Sequence, residues 1–80
     1  MATVMVIDDS RATRALAKRT LVEAGYNVVE ATDPGDAMDK ARLARVDVFV
    51  CFTAQPVELP VIVSSLQPAQ LLATIRKALA

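Results

Sequence analysis

The chain has 80 residues with nine basic and nine acidic side chains, no histidine and one cysteine, which fits one domain, 1–80, without space for a separate output domain. Zero net charge argues against a nucleic-acid binder working through phosphate contacts. No apolar run reaches the ~18 residues that span a bilayer, and one cysteine without histidine excludes an internal disulfide, a zinc cage and a histidine-based triad.

Thr3-Val4-Met5-Val6-Ile7 is an apolar, β-branched run ending at Asp8-Asp9-Ser10, the pattern of a strand buried on both faces of a parallel sheet. Ser10 is placed to cap the following helix, Arg11 to Ala24, which is rich in Ala, Leu, Arg and Lys. On that helix Leu16, Thr20, Leu21 and Ala24 are expected to share the buried face, with Arg11, Arg14, Lys18 and Arg19 in water. Gly25 ends it. Asn27 to Glu30 reads as a second strand. Asp33 and Pro34 then open a helix running to about Ala44, and Val46 to Phe52 reads as a third strand.

The order βαβαβ is that of a right-handed parallel unit. The remainder is less regular: Thr53 to Leu59 contains Pro56 and no helical repeat, Pro60 to Ser64 reads as a fourth strand, and Gln67-Pro68 opens a last helix with Leu71, Leu72, Ile75 and Leu79 on its buried side. A parallel crossover usually takes roughly a dozen residues. The connection here is shorter, so the fourth strand is expected to run antiparallel or to pair in an unusual way, as across a dimer.

Several stretches together resemble the receiver (CheY-like) domains of bacterial two-component signalling. They are Val6-Ile7-Asp8-Asp9-Ser10, Arg14, Gly25-Tyr26-Asn27-Val28-Val29-Glu30-Ala31, Asp33, Ala37 and Asp47, then Leu59 to Ser65, Gln67-Pro68 and Leu71 to Leu79. The resemblance implies a minimal flavodoxin-like α/β sheet, βαβαβ plus a fourth strand and a C-terminal helix, without the receiver's third and fourth helices and one strand.

In that family a kinase histidine passes its phosphoryl group to an aspartate ending the third strand. Two carboxylates after the first strand hold Mg²⁺, and a hydroxyl and a lysine contact the phosphoryl oxygens. Mapped by the resemblance, Asp8 and Asp9 match the metal pair and Ser65 the hydroxyl. The acceptor position, five residues after Asp47 and four before Pro56, holds Phe52, and the lysine position before Pro68 holds Gln67. Phosphoryl transfer needs a carboxylate nucleophile and cationic screening, and neither is present. The resemblance therefore implies a non-enzymatic pseudo-receiver of a phosphorelay, with no cofactor beyond weak Mg²⁺ at Asp8 and Asp9.

Simpler readings stand beside these. Asp8 and Asp9 suit a helix start, where the dipole favours negative charge. Phe52 either locks one signalling surface or simply packs the strand end, Ser65 is a strand-end hydroxyl, and Cys51 is a small buried hydrophobe. The basic face of the first helix reads as solvated surface more readily than as an acidic partner's site. Two other functions compete with the pseudo-receiver: a Mg²⁺- or phosphate-responsive receiver using Asp8 or Asp9, and a truncated or engineered minimal receiver scaffold.

The partners expected are proteins, among them a histidine kinase or another signalling protein. With 54% hydrophobic residues and one helix left on one face, the sheet should expose Val48, Val50 and Phe52 or their alternates. A homodimer through that face, or by strand exchange, is expected. Met1-Ala2-Thr3 lacks the basic region of a signal peptide, and unpaired Cys51 suits the cytoplasm.

Overall fold

The computed structural model describes residues 1–53 and 59–80. The elements are β1 (Thr3–Ile7), α1 (Arg11–Glu23), β2 (Asn27–Ala31), α2 (Pro34–Ala41), β3 (Val48–Cys51), β4 (Val61–Val63) and α3 (Pro68–Leu79). They form a four-stranded parallel sheet in the order β2-β1-β3-β4. This is the α/β architecture expected, in its short form.

Local chemistry sets the element ends. Ser10 Oγ accepts from Thr13 N–H at 3.2 Å to start α1. At its other end Gly25, with φ of 96°, takes the left-handed conformation that costs a Cβ-bearing residue energy. There Gly25 N–H reaches Val22 O and Tyr26 N–H reaches Leu21 O, each at 3.0 Å, so the last carbonyls are satisfied. At α2, Asp33 Oδ1 accepts from Asp36 N–H at 2.8 Å while Asp36 Oδ2 accepts from Thr32 N–H at 3.0 Å, a reciprocal cap. Asp47 pins the start of β1: its Oδ2 accepts from Thr3 N–H at 2.8 Å, and its own N–H donates to Thr3 O at 2.9 Å.

Two apolar layers flank the sheet. Val4, Val6, Val48 and Val50 face Ala17 and Leu21 of α1 and Leu71 and Ile75 of α3. Met5 and Ile7 face Ala31 and Ala37 on the side of α2, with Phe49, Leu59 and Val61 partly buried beside them. Alternate strand residues thus go to opposite layers, as the pleat requires.

Several expectations are corrected. β4 runs parallel to β3 within the chain, with Phe49 opposite Val61 and Cys51 opposite Val63, and not antiparallel to it. The reason is distance: the chain from Cys51 to Val61 can reach about 30 Å, whereas the return along so short a strand is on the order of 10 Å, so no crossover helix is needed. On α1 the buried residues are Ala17 and Leu21, while Leu16 is 58% exposed and Ala24 lies at the surface. The helix is rotated about its axis from the predicted face because α3 and the sheet both bear on it. The second helix stops at Ala41 and the third strand at Cys51, one residue before Phe52. Of the alternatives for the uncovered face, Val48 and Val50 lie under α1 and α3. The alternates Phe49, Val61 and Val63 occupy the other side.

Candidate functional site

In an open parallel sheet the ligand crevice lies beyond the carboxyl ends of the strands, where the strand order reverses. Here that point falls between β1 and β3, with β2 on one side and β4 on the other. Asp8 and Asp9 leave β1 there, and Phe52 leaves β3. The fold therefore brings the acidic pair and the aromatic residue to one rim.

Asp8 is half-buried and its carboxylate is engaged: Oδ2 accepts from Ser10 N–H at 2.9 Å. Its backbone is held as well, with N–H donating to Ala31 O at 3.1 Å and the carbonyl accepting from Arg14 Nη1 at 2.6 Å. Asp9 is exposed. Phe52 is partly buried and packs against the layer under α1 and α3. Cys51, 2% exposed, donates its thiol to Thr53 O at 3.1 Å. Burial pushes the thiol above its ordinary value and the Asp8 charge pushes the same way, against the Thr53 backbone contact.

Ser65 is exposed and its Oγ accepts from Gln67 N–H at 3.0 Å, shaping the turn into α3. Gln67 occupies the cap position of α3 without a side-chain capping bond, and it lines an open groove of about 780 Å³ between α1 and α3, with Leu16, Thr20, Leu66 and Leu72.

The residues present fit Mg²⁺ poorly. The ion asks for octahedral oxygen ligands, one Asp8 oxygen is bound to Ser10 N–H, and Phe52 offers none. Among the described residues no group of three His, Cys, Asp or Glu side chains is arranged to hold a metal.

Sequence reasoning missed the role of Arg14, expected in water. Its side chain is 12% exposed, with Nε 3.2 Å from Glu30 Oε1. Lys18 Nζ lies 3.8 Å from Glu30 Oε2, and Lys40 of α2 donates to Glu30 O at 2.7 Å. Glu30, at the tip of β2, is thus bonded from both helical layers. Only the register Val6↔Glu30 reveals this, because it brings the end of β2 level with the first turn of α1.

Two solved structures of the chemotaxis response regulator CheY4 of Vibrio cholerae, one crystallised at low pH, match with TM-scores of 0.80 and 0.79. Each is 25% identical, and each match covers 98% of this chain and 98% of the other. The chain has the fold of a CheY-like receiver domain. No family model and no curated protein matches its sequence. The fold is that of a response regulator's receiver domain. Among its described residues no helix is long and apolar enough to cross a membrane.

Proposed function

We propose that this receiver is a pseudo-receiver: a cytoplasmic interaction module of a phosphorelay that acts through protein contacts, without aspartyl phosphorylation or other enzymatic activity. The observation that supports this best is the rim itself. The β3 end offers a ring packed on the core at Phe52, and the β1 end offers a carboxylate already bound to Ser10 N–H. No nucleophile stands at the mapped acceptor, and uncharged Gln67 stands at the mapped lysine. Mg²⁺ binding at Asp8 and Asp9 is weak or lost, and the protein works without a cofactor.

The partner is a histidine kinase or another signalling protein, together with a second copy of the chain. Self-association is supported by the sparse cover of the sheet on the α2 side, where Val63 is 53% and Met38 40% exposed. Exposed apolar surface of this kind marks contact sites.

Treatment with acetyl phosphate and Mg²⁺, and separately with beryllofluoride and Mg²⁺, tests the reading. Intact mass and amide spectra are expected to stay unchanged. A stoichiometric aspartyl adduct on Asp8 or Asp9 would instead establish a phosphate-responsive receiver.

A further inference from the structure

The two edges of the sheet differ in chemistry. β2 carries Asn27 and Glu30, and Glu30 is held by Arg14 and Lys18. Charged residues at an edge discourage pairing with another chain. β4 is Val61-Ile62-Val63, without a charge. Among the described residues its strand neighbour is β3 alone, and while Ile62 packs against the layer under α1 and α3, Val63 on the other side stays half exposed.

The backbone of β4 is half used. Ser64 N–H donates to Cys51 O at 2.9 Å, so Ile62 and Ser64 point their peptide groups at β3. By alternation, Val61, Val63 and Ser65 point theirs away from it. Val61 N–H turns back to Leu59 O at 2.7 Å, which leaves Val63 at the middle of the open edge. Its side chain lies on the α2 side with Val61 and Phe49, and is 53% exposed.

We infer that β4 is the dimer edge, pairing antiparallel with β4 of a second copy about a twofold axis at Val63, so that two four-stranded sheets join into one. Val63 of each copy exchanges N–H···O=C bonds with its mate, and Ser65 N–H of each reaches Val61 O of the other. The occupant is a second copy rather than a foreign strand for a physical reason. An edge this short gives a lone peptide few backbone bonds, whereas a copy also brings its own Val63, Val61 and Phe49 to the same side. An isologous contact is self-complementary without further design, and directly opposed β-branched residues stabilise such pairs.

This inference rests on the self-association proposed above, and the test separates the two. The full chain and its variants V63K and V63E are compared by sedimentation, with circular dichroism to confirm folding, which substitution of a half-exposed side chain preserves. Each variant alone is expected to dimerise at least about tenfold more weakly, because like charges then meet across the axis. An equimolar mixture of the two is expected to recover the dimer. V22K, on the exposed side of α1, is expected to behave as the unmodified chain. Variants that dimerise normally, or a mixture that fails to recover, would overturn the edge assignment and leave self-association standing. An unmodified chain that stays monomeric at high micromolar concentration would remove both.

Discussion

Beneath α1 and α3 the sheet buries Val4, Val6, Val48 and Val50 against Leu21, Leu71 and Ile75, none more than 6% exposed. On the opposite face α2 lies over β1 and β2 and reaches neither β3 nor β4. Among the described residues the same pleated strands thus meet two helices on one side and half a roof on the other. The difference shows where this short receiver keeps its cohesion among the described residues: apolar burial holds the first face, while on the β3–β4 half of the second Cys51 is buried and Phe49, Val61 and Val63 are only partly covered.

Truncation on the two faces should break or confirm that contrast. Leu21→Ala, at a fully buried site, is expected to cost about 2–5 kcal/mol in urea unfolding. Such a loss is a large share of the total stability of a domain this size. Val63→Ala, at a half-exposed site, should change the stability of the monomer by no more than about 0.5 kcal/mol. Equal losses at the two positions would remove the distinction.

Arg14→Ala comes next. It unties Glu30 and the Asp8 carbonyl together, and about 1–3 kcal/mol is expected, since hydrogen bonds to charged groups are among the stronger ones. A change near zero would mean that the α1 layer holds the β2 tip without it. Ser10→Ala and Asp33→Ala remove the caps of α1 and α2, each worth about 1 kcal/mol. The loss at Asp33 should show mainly as faster amide exchange in α2, which has one buried residue, Ala37, to hold it.

The smallest effect is that of acid. Asp36 is held below its ordinary 3.8, first by the Thr32 backbone contact and then by Lys40. A lowered folded-state value means that its contribution is complete above 3.8 and fades as pH falls through the lowered value. The amide of Thr32 should therefore lose protection in that range, and Asp36→Asn should remove the pH dependence.

Most of the fold was legible because its signals are local. The run Thr3 to Ile7, the caps Ser10 and Asp33, and Gly25 each state their element in a few residues. The direction of β4 was not legible, since a count of linker residues cannot reveal how short the return path is. The burial of Arg14 was equally hidden, because it depends on the β1–β2 register. At the rim, motif matching grouped Asp8, Asp9 and Phe52, which follow the carboxyl ends of the adjacent strands β1 and β3. It could not say that Asp8 already has a hydrogen-bond donor, because that bond depends on the turn conformation.

That bond to Ser10 N–H links ion capture to helix order. A cation drawing the Asp8 carboxylate away would release the turn that starts α1, so part of its binding free energy would go into fraying the first helical turn. Titration with divalent ions should then loosen the amides of Ser10 to Thr13 as it proceeds, in the opposite sense to the ordering that a purpose-built metal site produces.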